Sequence, residues 1–164
     1  MREASRPPLV DADPAHHLAR LVVVNAEEAP DGVAFRRPDG AGGWTDVTAA
    51  QFREDVESVA AGLVAAGVGP GDRVGLMSRT RYEWTLVDFA VWTAGAVTVP
   101  VYETSSREQV AWVLQDSGAG VVVAETAAHA GLVARARAEG DTSPTWTVDD
   151  GGLDALRALG ADVD

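Results

Sequence analysis

The stretch Thr80–Tyr102, TRYEWTLVDFAVWTAGAVTVPVY, restricts the fold more than any other part of this chain. Trp84, Val87, Val91 and Ala94 recur at helical spacing, and Leu86, Phe89, Ala90 and Trp92 fill the flanks between them. A helix apolar almost all round has to be buried. Thr80 and Glu83 stand three apart at its start, the spacing of a reciprocal capping box, and Gly95 supplies the break at its end. Ala96–Val101 then follows as a short β-branched run closed by Pro100, which predicts a strand buried on both faces. Such a helix feeding such a strand is half of a βαβ unit.

The rest of the chain arranges itself around that pair. An irregular arm is expected over residues 1–17, polar and carrying Pro7, Pro8 and Pro14, with an amphipathic helix over His16–Glu28 stopped by Pro30, Asp31 and Gly32. Val33–Arg37 and Gly43–Val47 flank a Pro-Asp-Gly-Ala-Gly segment and read as a hairpin. Thr48 with Gln51 opens a helix that places Phe52, Val56, Val59 and Leu63 on one face. After Gly67, Gly69, Pro70 and Gly71 come a buried strand at Arg73–Ser78, the central helix and its strand. A helix opened by Ser106 and Gln109 follows and runs to Gly118. Val121–Val123 predicts a strand, Ala127–Ala138 a helix, Thr145–Val148 a weaker strand and Leu153–Leu159 a last helix. Strand and helix thus alternate from Arg73 onward. The fold class is α/β, an N-terminal helix and hairpin leading into a mostly parallel sheet with helices on both faces.

Composition narrows the function classes. The formal net charge is −12 and all 13 cationic residues are arginine, so a nucleic-acid partner is not expected and no lysine chemistry is available. The chain contains no cysteine, which removes disulfides, thiolate nucleophiles and zinc–thiolate sites. Neither a signal peptide nor an apolar run of about 18 residues is present, and a cytoplasmic setting is expected.

Individual candidates are sparse. Gly67, Gly69 and Gly71 have a dinucleotide-like spacing, but helix precedes them and strand follows, the reverse of the order such a loop requires, so they read as a turn. His16, His17 and His129 do not converge on a metal site and read as surface residues. Ligands of open α/β sheets sit beyond the carboxyl ends of the strands. Those ends are Ser78–Arg81, Tyr102–Arg107 and Glu125–Thr126, where Arg79, Arg81 and Arg107, beside Ser105 and Ser106, would suit a phosphate or carboxylate. The preferred alternative pairs these arginines with Glu83, Glu103 and Glu108. Asp88, among apolar residues of the central helix, is either a functional carboxylate or one that reaches an arginine or the helix's wet edge.

The segment Gly67–Glu125 resembles the N-terminal part of adenylate-forming enzymes, and most of all bacterial long-chain fatty-acid–CoA ligases. Trp92–Tyr102, WTAGAVTVPVY, is similar to the second conserved core motif of that superfamily, and Trp44–Phe52, WTDVTAAQF, to the first. Arg81-x-Glu83-Trp84 and the Val-Pro-Val-Tyr-x-Thr-Ser-Ser wording of Val99–Ser106 support the long-chain subgroup. The resemblance implies residues 18–164 to be part of the N-terminal domain of an AMP-dependent synthetase. The complete family enzyme uses ATP, Mg2+ and CoA to turn a fatty acid into an acyl-adenylate and then a thioester. The family's lysine-bearing phosphate loop and C-terminal catalytic lysine have no counterpart here. No catalytic, cofactor-binding or metal-ligating residue is therefore assigned, and the chain alone is expected to be inactive and to bind no cofactor.

The expected function is accordingly that of a truncated opening piece of a fatty-acid–CoA ligase, the complete enzyme being cytoplasmic or peripheral to a membrane. A non-catalytic α/β module that binds a small anion is the alternative, and a separately encoded remainder of the domain is a further candidate partner. Exposed backbone edge at the final strands is expected to make the chain self-associate.

Overall fold

A computed structural model describes residues 17–163. Helix α1 (Arg20–Glu28) is followed by strands β1 (Val33–Pro38) and β2 (Trp44–Thr48), which pair antiparallel as a separate two-stranded sheet. Helix α2 (Ala49–Ala65) then leads to β3 (Arg73–Met77), α3 (Tyr82–Thr93), β4 (Val97–Val101), α4 (Arg107–Ser117), β5 (Val121–Ala124) and α5 (Ala127–Ala136). Strand β6 (Thr145–Thr147), a single 3-10 turn (Val148–Asp150) and α6 (Gly152–Leu159) complete the described chain. Strands β3 to β6 form one parallel sheet in the order β4-β3-β5-β6. The irregular arm and His16 lie outside the described residues, apart from His17, which precedes α1.

The sheet separates two apolar layers. Val74, Leu76 and Val123 pack with α2, α3 and α6 on one face, whereas Met77, Val101 and Val122 pack with α4 and α5 on the other. Alternation along β3 and β5 is what sends neighbouring side chains into opposite layers. Gly75 keeps the second layer thin: a Cβ there would stand 3.1 Å from Val122 Cγ2 and 3.4 Å from Leu114 Cδ2. In α3, Leu86, Val87, Ala90 and Val91 are fully buried, and each of the three larger ones contributes roughly 1.5–3 kcal/mol.

Two local expectations are corrected. Strand β4 is not buried on both faces. It forms an edge of the sheet, with Val97 49% exposed, because its β-branched run lies against β3 on one side only. Nor does Thr80 cap α3. The N-cap is Arg81, which makes no side-chain capping bond, and Glu83 Oε2 instead accepts from Arg81 Nε at 2.6 Å. The other two capping boxes form as read: Gln51 N donates to Thr48 Oγ1 at 3.2 Å and Gln109 N to Ser106 Oγ at 3.3 Å, each with its reciprocal bond. The positive-φ glycines Gly95 and Gly118 end α3 and α4.

An aromatic cluster seats the hairpin on the helices. Phe35 of β1 lies 4.6 Å, centroid to centroid, from Phe52 of α2 and 5.8 Å from Tyr82 of α3. The Tyr82 hydroxyl donates to Asp55 Oδ2 at 2.7 Å, so the start of α3 is tied to α2 by both ring packing and a hydrogen bond.

Candidate functional site

The carboxyl ends of β3 and β5 bring Ser78, Arg79, Arg81 and Glu125 together. Glu125 follows the Val-Val-Val-Ala run of β5 directly, and its side chain is 4% exposed. Arg79 Nε reaches Glu125 Oε1 at 2.7 Å and Arg81 Nη1 reaches the same oxygen at 3.4 Å. On the other oxygen, Oε2, the Arg79 backbone N–H donates at 3.0 Å and the Ser78 hydroxyl lies at 3.4 Å. Arg81 also donates to Glu83 and, from Nη1 at 2.8 Å, to Asp149 Oδ1 in the turn after β6. These acceptors, Glu83 foremost, raise its pKa further above the usual arginine value.

The arrangement is an ion-pair network rather than an open anion cradle. A buried carboxylate survives only where cations and donors surround it, and Glu125 has both. Of the anticipated acidic partners, Glu83 is used and Glu103 and Glu108 are not; Glu125 and Asp149 take the main roles. The alternation alone places Glu125 at a strand end, but its pairing depends on which strands are adjacent. The order β3-β5, which decides that, is not written in any local pattern.

Arg107 does not join the cluster. Its Nε donates to the Arg135 carbonyl at 2.8 Å, closing the end of α5. Ser106 caps α4, and Ser105 contributes no side-chain bond to the network among the described residues. The Gly67–Gly71 segment is a turn, with Gly67 and Gly71 at positive φ and the Gly69 N–H bound to Asp72 Oδ2 at 2.8 Å. His129 lies in the first turn of α5, and His17 precedes α1.

Asp88 is 8% exposed, and no arginine among the described residues pairs with it. Burial raises its pKa, opposed only by the nearby Thr98 hydroxyl on β4.

An open cleft of about 860 Å³ runs between the hairpin and the start of α3, walled by Arg37, Arg79, Arg81 and Tyr82. Arg37 stands over the Tyr82 ring, 5.5 Å from its centroid. No nucleophile–base pair faces this cleft, and no group of three or more histidines and carboxylates among the described residues is placed to hold a metal ion. Phosphoryl chemistry requires charge neutralisation, and here Arg79 and Arg81 already face carboxylates.

Comparison with known proteins decides what this scaffold is part of. The family described as AMP-binding enzyme matches residues 22–163. The chain belongs to the AMP-binding enzyme family. Within that family, it is 49% identical over 135 residues to the long-chain-fatty-acid–CoA ligase FadD15 of Mycobacterium tuberculosis, a match that covers 82% of this chain and 22% of FadD15. Among solved structures, a fatty acyl CoA synthetase of M. tuberculosis superposes with a TM-score of 0.73 at 27% identity, covering 89% of this chain and 29% of that one. The N-terminal domain of FACL13, also from M. tuberculosis, superposes with a TM-score of 0.71 at 27% identity, covering 85% and 35%. The chain is therefore homologous to the N-terminal part of long-chain fatty-acid–CoA ligases and spans about 22% of the curated relative it matches. No described helix is long and apolar enough to cross a membrane.

Proposed function

We propose that this AMP-binding family chain serves as the opening scaffold of a long-chain fatty-acid–CoA ligase domain and does not catalyse acyl activation by itself. The 49% identity to FadD15 over 135 residues carries the reading. In the complete enzyme, ATP and Mg2+ would activate the fatty acid and CoA would take the acyl group. The described residues do not fit those groups: the chain has no lysine, Arg79 and Arg81 face carboxylates, and no metal-ligating cluster is present among them. The contribution of this segment is architectural, holding the loop after β3 rigid through Glu125.

The test has two arms. Purified chain mixed with ATP, Mg2+ and palmitate should give no acyl-AMP and no pyrophosphate exchange. A chimera of FadD15 carrying this chain in place of its own matched segment should retain thioester formation. Acyl-AMP from the chain alone, or a folded but dead chimera, would overturn the proposal.

A further inference from the structure

Three Asp–Gly bonds occur in the chain, Asp31–Gly32, Asp39–Gly40 and Asp150–Gly151, and all three aspartates are exposed. Such a bond is open to attack from within the backbone, because glycine has no Cβ to keep its amide nitrogen away from the preceding carboxyl carbon. The fold treats the three differently. The Gly32 N–H donates to the Ala29 carbonyl at 2.9 Å and the Gly151 N–H to the Val148 carbonyl at 3.2 Å, so both nitrogens are committed to turns. The Gly40 N–H has no hydrogen-bond partner among the described residues.

The carboxyl beside that free nitrogen is held in place. At the turn of the β1–β2 hairpin, Asp39 Oδ1 accepts from the Ala41 N–H and from the Gly43 N–H, both at 2.8 Å. Two backbone donors on one oxygen at this distance are what stabilises the oxygen of a tetrahedral intermediate. Oδ2 accepts no hydrogen bond and is the oxygen free to depart. Gly40 has φ +78° and no atom within 4 Å of where a Cβ would stand, so a ring has room to close there.

We propose that Asp39–Gly40 is a self-modification site, at which the chain closes a succinimide and from it an isoaspartyl link. The Gly40 nitrogen attacks Asp39 Cγ, the new N–C bond closes the ring, and the Cγ–Oδ2 bond breaks. Oδ2 leaves as water, taking the carboxyl proton and the Gly40 amide proton. Water then adds to one of the two ring carbonyls. At Cγ it restores aspartate, and at the main-chain carbon it leaves Gly40 joined through Cγ. That link adds a methylene to the backbone of a turn which the Asp39 N–H closes on the Gly43 carbonyl at 3.1 Å, and Asp39 also walls the cleft beside the hairpin. Loss of Oδ2 as water requires a protonated carboxyl. The Ala41 and Gly43 N–H groups hold the Asp39 carboxyl below its usual range, so the reaction slows as pH rises.

To test it, the 164-residue chain is held at 37 °C and pH 5.5, and isoaspartate at each Asp–Gly bond is measured by mass spectrometry after digestion with a protease that cuts before aspartate but not before isoaspartate. In the folded chain Asp39 should isomerise at least about fivefold faster than Asp31 or Asp150, and in guanidinium the three rates should agree within about twofold. An Asp39 no faster than the other two overturns the proposal. So does a lead that survives unfolding, because local sequence and not the loop would then set the rate. The Asp39→Asn variant supplies a second arm: its side-chain amide leaves as ammonia without needing a protonated carboxyl, and the same ring should form faster at pH 8 than at pH 5.5. If that variant stayed free of isoaspartate at pH 8, the Gly40 nitrogen would be out of reach of Cγ and the proposal would fail.

Discussion

At the scale of single residues, the two buried carboxylates predict opposite responses to losing charge. Glu125→Gln keeps the volume but places an amide against Arg79, Arg81 and the Arg79 N–H. It is expected to cost about 3 kcal/mol in urea unfolding, the range for breaking one side of a buried pair. Arg79→Gln should cost less than about 1 kcal/mol, because the arginine side chain is 68% exposed and water replaces its contact. Equal losses for the two would mean that Glu125 is solvated in solution. At Asp88 the charge itself is the liability. Burial raises its pKa above the ordinary 3.8, so the folded state holds the proton more tightly than the unfolded state. Stability is therefore lost as pH rises from 3.8 through the raised value, and the loss is complete above it. Asp88→Asn should raise the melting temperature at pH 7, by about 2–4 °C for each kcal/mol regained, and the advantage should shrink toward pH 4. An advantage that instead grew on acidification would refute the assignment.

At the scale of elements, the α2–α6 contact joins backbone to backbone beneath its side-chain packing and the Asp55–Arg157 ion pair at 3.0 Å. A Cβ at Gly62 would fall on the Leu156 carbonyl, and one at Gly160 on the Gly62 amide, so α6 lies directly against α2. Gly62→Ala is expected to cost about 3 kcal/mol or more, since neither helix backbone can yield. Gly131→Ala in α5 should do the reverse and stabilise by about 0.5–1 kcal/mol, because its new methyl meets only the flexible end of Arg135, at 3.3 Å. Thermal unfolding of the pair checks the sign of each. The elements themselves were legible because periodicity and capping are local: the Thr48–Gln51 and Ser106–Gln109 boxes and the Phe52–Leu63 stripe appear where the residues place them. Thr80–Glu83 had the same spacing and failed because Glu83 bonds Arg81 instead. Strand β4 was misjudged since its burial depends on sheet order, which a run of valines does not encode. The candidate site was half legible. Strand ends located Arg79, Arg81 and Glu125, while only the tertiary arrangement separated Arg107, which closes α5, from the cluster. Arg73 plays the same closing part for α4, donating to the Ser117 and Gly118 carbonyls, a use that suits the planar guanidinium.

At the scale of the whole molecule, the sheet edges are poorer templates for association than the final strands suggested. Strand β4 turns Pro100 outward, and β6 is three residues long with Gly152 packed against the Thr147 backbone. The most exposed of the large apolar side chains are aromatic: Trp112 at 64%, Trp44 at 68% and Tyr102 at 81%. A net charge of −12 opposes contact between copies, and salt weakens that opposition, the screening length falling from about 30 Å at 0.01 M to about 8 Å at 0.15 M. Self-association should therefore rise with ionic strength. Light scattering at pH 7.5 is expected to report a monomer in 10 mM salt and a growing average mass by 500 mM. Trp112→Glu should suppress that growth, because it places charge on an apolar contact, whereas Thr98→Lys on the β4 edge should leave it nearly unchanged. If Thr98→Lys were the substitution that abolished association, backbone pairing along β4 would be the cause, and Pro100 would not be protecting the edge.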